Sequence, residues 1–298
     1  MALTAAGTEY TPHVWTNATG DQSVWAVADH LLGTTHRKPV LMYCHGNGGS
    51  FDAFTNGSQY DPLKDRLIDN GWAYVEALGG HRSHWGREFA MESYAAAARE
   101  AAGMHPLGTL VILGRSMGGT VSSSLALNEE WGLKQYVTGL LLESAVQDMY
   151  FRHVTRGYSL NGQYPEGRPD HGGNPQEFAA AVEPFNPIQF PVEWYQDMPV
   201  QFVHGTHDDN VLPEGHAIPQ YHRIKDHALY SDLYLRGLGT HTVAESADPE
   251  IVRPSWDFIR RAQGLYPQPV TIVSDGQALD VHAVHYQPGW RQALPLTP

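Results

Sequence analysis

Residues 109–121 read TLVILGRSMGGTV. An apolar run leads into a lone hydroxyl, Ser116, placed between Gly114 and Gly118, and the helical pattern GGTVSSSLALNEE follows. One reading is a turn that needs small residues and happens to hold a serine. The other is a nucleophile at the tip of a strand-to-helix turn, so sharp that side chains two residues on either side of the serine would clash. In that reading the following helix also points its N-terminus at the reaction centre, which favours developing negative charge.

The chain around this stretch alternates short apolar runs with helical patterns, the signature of βαβ units and a mostly parallel sheet. Strands are expected at PVLMYCH (39–45), WAYVEAL (72–78), TLVILG (109–114), TGLLLES (138–144), PVQFVHG (199–205) and SDLYLRG (231–237). Several are apolar throughout, as strands covered on both faces are. Helices are expected over 61–71, 87–103 and 118–130, near 214–228, and near 249–264. SVWAVADHLLG, in the segment before residue 39, reads as a strand or a short helix.

Two regions break the alternation. Residues 146–198 are rich in Pro, Gly and aromatics and read as an irregular cap over the sheet edge. Residues 265–298 form an extension in which VTIVSDGQALDVHAV reads as a hairpin about Asp275-Gly276. The expected organisation is an N-terminal segment (1–38), a core (39–145 and 199–264), the cap insertion and the extension.

Three further strand ends carry polar residues. His45-Gly46-Asn47-Gly48-Gly49 follows VLMYC, and small residues there, Gly46 first, let the backbone approach a bound acyl group. An amide of this turn, Asn47 or Gly48, would pair with that of Met117 as an oxyanion hole, with Asn47 preferred as the residue directly after His-Gly. Asp208 lies in HGTHDDNV (204–211) after PVQFV, and is preferred to Asp209. His241 follows SDLYL in GLGTH (237–241) and would take the proton from Ser116.

With Ser116, Asp208 and His241 each after its own strand, in that order, residues 39–262 resemble an α/β-hydrolase of the esterase/lipase and acyl-peptidase type over about three-quarters of the chain. SHWGREFAMESY (83–94) also resembles the segment leading into the next helix in bacterial serine hydrolases. The resemblance implies the α/β-hydrolase fold and a serine hydrolase working without a cofactor. Ser116 is then the nucleophile, His241 the base, Asp208 its orienting acid, and the Asn47 and Met117 amides the oxyanion donors. Since some members of the fold supply the acid after an earlier strand, Asp148 and Glu143 remain candidates beside Asp209. Arg82, His84, Trp85 and Arg87 form a cluster that could face the pocket, with Trp85 the expected substrate contact.

Composition narrows the alternatives. The 298 residues are 42% hydrophobic and 17% charged, enough for a large core, and the formal net charge is −13. An acidic chain repels phosphate backbones, so no nucleic-acid partner is expected. The single cysteine, Cys44, lies in an apolar run and reads as a core residue. The sequon at Asn17 reads as chance. No signal peptide or membrane span is expected, which places the chain in the cytoplasm or in an assembly. Gly114–Thr120 lacks the lysine of a phosphate loop, and HGNGGS lacks dinucleotide-loop spacing. His81-x-x-His84 and His204-x-x-His207 have ligand-like spacing, yet both sit on strand-end loops and no metal site is expected. The function expected is hydrolysis of a carboxylic ester, small or polymer-borne, through an acyl-enzyme. The alternatives are amide or peptide hydrolysis, and a binding or structural module of a larger assembly such as a virion or surface complex. The extension could support oligomerisation.

Overall fold

The structure is a computed structural model describing residues 1–156, 160, 164, 174–241, 249–264, 269–274 and 277–282. Its frame is an eight-stranded sheet made of β1 (His13–Thr16), β2 (Gln22–Ala26), β3 (Lys38–Cys44), β4 (Ala73–Ala77), β5 (Leu107–Arg115), β6 (Val137–Glu143), β7 (Pro199–Gly205) and β8 (Tyr230–Arg236). The spatial order is β8-β7-β6-β5-β3-β4-β2-β1. All pairs from β4 to β8 are parallel, and β1 and β2 join antiparallel at the far edge. The six expected strands are β3 to β8. SVWAVADHLLG holds both of its readings: it forms β2 and then a 3-10 turn, Asp29–Leu31.

The apolar strands divide their side chains between two cores because successive residues face opposite sides of a sheet. Val40, Met42 and Cys44 of β3, with Leu110 and Ile112 of β5, enter one core. Leu41, Tyr43, Val111 and Leu113 enter the other. The first is covered by α2 (Glu88–Met104), α3 (Gly118–Leu127) and the later helix Ala217–Ile224. The second is covered by α1 (Asp61–Asp69) and the late helix Pro249–Ala262. Ala95, Ala97 and Ala98 of α2 are fully buried, and small side chains there let the helix lie close to the sheet.

The described parts of the segment 146–198 are more regular than its composition implies. Among its described residues are α4 (Met149–Thr155), α5 (Pro175–Val182) and three 3-10 turns. Their starts are local: Asp148 Oδ1 accepts the Phe151 N–H, and Asn174 Oδ1 accepts those of Gln176 and Glu177, with Pro175 opening the helix. Met149, Leu160, Tyr164, Phe178 and Val182 pack on Trp85, Met117, Val146 and Val211, forming a third apolar cluster over the C-terminal ends of the strands. In chain order α6 is Ala217–Ile224 and α7 is Pro249–Ala262. Within the extension, β9 (Pro269–Ser274) and β10 (Gln277–His282) pair antiparallel, Ser274 opposite Gln277. The expected Asp275-Gly276 turn lies outside the described residues.

The turn from β5 to α3 leaves no room at its glycines. A Cβ on Gly118 would run into the Cys44 carbonyl of β3, and one on Gly114 into the Ser122 hydroxyl. Backbone cannot yield as a flexible side chain can, so Gly118→Ala is expected to lower stability by about 1–3 kcal/mol. Urea midpoints of the two proteins measure this; equal midpoints would contradict the packing.

Candidate active site

Four strand ends supply the site. Ser116 follows β5 with φ +50°, a conformation costly for a residue with a Cβ. The strain is held by hydrogen bonds on both sides. The Ser116 N–H donates to Glu143 O (3.1 Å), and its carbonyl accepts from Gly119 N (3.0 Å) and Val146 N (2.8 Å). The serine is 7% exposed.

His241, after β8, lies with Nε2 3.0 Å from Ser116 Oγ and Nδ1 2.9 Å from Asp208 Oδ2. Because the carboxylate only accepts, the ring proton sits on Nδ1 and the Nε2 lone pair faces the serine hydroxyl. Asp208, after β7, is buried and fully engaged. Its Oδ1 accepts the N–H groups of Asn210 (3.0 Å) and Val211 (2.8 Å). Its Oδ2 is also 3.2 Å from His204 Nε2. Burial alone would raise this carboxyl; the hydrogen bonds of His204 and His241, and the attraction of the imidazolium when His241 is protonated, outweigh it and hold the group well below the ordinary carboxylate range.

The turn after β3 presses on Ser116, with a Cβ on Gly46 falling 3.2 Å from Ser116 Cβ. Two of its amides are committed: Gly48 N–H donates to Arg82 O (2.7 Å) and Gly49 N–H to Gly46 O (3.0 Å). Arg82 Nε donates in return to the Gly48 and Gly49 carbonyls, both at 3.0 Å. Of Asn47 and Gly48, therefore, Asn47 is the residue whose amide this clamp does not take. Met117 precedes α3, where first-turn N–H groups have no intrahelical acceptor. A cleft of about 240 Å³ opens beside the turn, bounded also by Tyr60 and Arg115.

The other candidates go elsewhere. Asp209 is exposed, and Asp148 caps α4. Glu143 lies buried on the strand beside Arg115 and accepts the Ser255 hydroxyl (3.1 Å). Trp85, with φ +45°, packs among the insertion's apolar residues and beside Met117. Tyr164 donates its hydroxyl to the Trp85 carbonyl (3.1 Å). His84 packs against His45 and Tyr94. Among the described residues no group of three or more His, Cys, Asp or Glu is placed to hold a metal, and no helix is long and apolar enough to cross a membrane. His204 is expected from the sequence on a strand-end loop with ligand-like spacing to His207. His204 Nε2 bonds Val211 O (2.6 Å), and its contact with Asp208 depends on how the loop folds and left no signal in the spacing.

No family model and no curated protein matches the chain. Solved structures do. Prolyl oligopeptidase B from Galerina marginata superposes with a TM-score of 0.63 at 16% identity, over 87% of this chain and 37% of that one. The esterase Pf2001 of Pyrococcus furiosus gives 0.56 at 14% identity, over 85% of this chain and 93% of that one. Carboxylesterase Cest-2923 of Lactobacillus plantarum WCFS1 gives 0.59 at 15%, over 86% and 98%. The chain thus spans little more than a third of the peptidase and nearly all of each esterase. The fold is that of the α/β-hydrolases.

Glu143 makes a pH prediction. Burial pushes its carboxyl up to about 7, against the Ser255 hydrogen bond and the Arg115 charge. An unfolded glutamate loses its proton near pH 4.3, roughly. Between these values the native state holds a proton that the unfolded chain has lost, so stability falls as pH rises through that window. In Glu143→Gln the loss of stability between pH 5 and 8 is expected to shrink by on the order of 2 kcal/mol. Parallel pH–stability curves for the two proteins would contradict this.

Proposed function

We propose that the chain is a serine hydrolase that cleaves carboxylic esters. The observation that carries the reading is the hydrogen-bonded series Ser116 Oγ, His241 Nε2, His241 Nδ1, Asp208 Oδ2, with both links near 3 Å. His241 takes the Ser116 proton as Oγ attacks the acyl carbon, and Asp208 stabilises the imidazolium. The Asn47 and Met117 amides receive the oxyanion. Collapse of the tetrahedral intermediate expels the alcohol with the proton from His241, and water then releases the acid by the same relay. Gly46 gives the acyl group room against the serine, and Trp85 forms a wall. The insertion 146–198 acts as a cap, since its apolar residues cover Met117 and Trp85.

The near-complete overlap with two esterases supports an ester substrate. The likeness to a prolyl oligopeptidase favours peptide hydrolysis as the second reading. A panel of 4-nitrophenyl esters and peptide anilides separates the two. Turnover of the esters is expected to exceed that of the anilides. Ser116→Ala and His241→Ala should each lower kcat by about 10⁴-fold or more, and Asp208→Asn by about 10⁴-fold. A folded wild type that cleaves no ester, or a Ser116→Ala that cleaves them equally well, would overturn the proposal.

A further inference from the structure

Arg152 lies on α4 and is 9% exposed. Its guanidinium carbon sits 5.7 Å over the Trp85 ring, and Nη2 donates to Asn210 Oδ1 at 3.2 Å. Its Nε and Nη1 are buried without an acceptor among the described residues. Both anchors belong to the site. Asn210 bonds Asp208 through its N–H, and Trp85 shares an apolar cluster with Met117. The bare donors therefore lie in the seam between the insertion and the strand ends, one residue removed from Asp208 through Asn210 and in contact with Trp85.

His216 adds a third bare donor. Its Nδ1 accepts the N–H groups of Asp148 (3.1 Å) and Gln147 (3.4 Å), which leaves the ring proton on Nε2, buried and unpaired. Burial, with the charges of His204 and Arg152, lowers this imidazole to about 3, so it is neutral and donates. Two more cations flank the seam: Arg156, whose Nε donates to Asn210 O (3.3 Å), and Arg87, over the Tyr164 ring at 5.1 Å. Among the described residues, none of these three arginines forms an ion pair. In a chain of formal net charge −13, such a seam does not follow from composition. Burial and the neighbouring Arg156 lower Arg152 only to about 10, so it stays charged near neutrality. A buried cation with unpaired donors is costly unless an anion meets it.

We propose that the substrate carries a carboxylate and that Arg152 binds it in this seam through charge-assisted hydrogen bonds. The inference rests on the ester-hydrolase reading and adds the substrate class. The carboxylate belongs to the acyl or to the alcohol side, and two matched pairs of esters distinguish them. Mono-4-nitrophenyl glutarate is compared with its methyl-capped ester, and 4-acetoxybenzoate with methyl 4-acetoxybenzoate. Turnover is measured on the wild type, and binding on Ser116→Ala by calorimetry.

The charged member of one pair is expected to be preferred by about tenfold or more, the return on one charge-assisted hydrogen bond. In Arg152→Gln the ratio should fall to near one, and in Arg152→Lys part of it should remain. Because the readout is a ratio, partial loss of folded protein leaves it interpretable. Equal handling of both members of both pairs by the wild type overturns the proposal. So does an Arg152→Gln that lowers charged and neutral substrates alike, which would mark the arginine as support for the insertion. If the wild type cleaves no ester while Ser116→Ala still binds the charged one more tightly through Arg152, the hydrolase reading fails and the subsite stands.

Discussion

The constraint on which the site depends is the close crossing of β3 by the turn at Ser116. Gly118 lies against the Cys44 carbonyl with no space for a side chain, and Gly114 against Ser122. That contact fixes the entry of α3, and with it the strained φ of the serine. It also brings the 45–49 turn, which continues from β3, against the serine side chain. One steric condition thereby sets Ser116, the helix N-terminus and the glycine turn in a single frame. Parallel neighbours β6, β7 and β8 then deliver Val146, Asp208 and His241 to the same end of the sheet. Ligand sites at the carboxyl ends of strands are the general expectation for open α/β sheets.

Electrostatics at this end are set by burial working against hydrogen bonding. Asp208 stays ionised because four donors converge on it: two backbone amides and two imidazoles. Glu143 has one hydroxyl donor and is pushed towards its neutral form. The contrast is physical: the carboxylate held ionised, Asp208, is the one that faces His241, and the one pushed towards neutrality, Glu143, is not. Arg152 shows the converse case, a charge kept in the interior with donors to spare.

Much of this was legible in the sequence because it is local. Continuous apolar runs such as VLMYC and TLVILG mark strands buried on both faces, and β3 and β5 divide their residues between two cores accordingly. Gly114 and Gly118 mark the turn because only their absence of a side chain permits it. What was not legible is tertiary. The helices α4 and α5 hid in a stretch rich in Pro, Gly and aromatics, although Asp148 and Asn174 are ordinary N-caps. The contact of His204 with Asp208, the clamp of Arg82 on the glycine turn and the bare donors of Arg152 join residues far apart in the chain, or through loop shape that spacing does not encode.

The central claim is that Ser116 is an activated nucleophile rather than a serine in a tight turn. Its most direct test is to incubate the native protein with a fluorophosphonate, digest it, and locate the added mass. The account predicts one adduct, on the peptide containing Ser116, blocked when the protein is unfolded beforehand. No adduct on the folded protein, or an adduct on another serine, would contradict it.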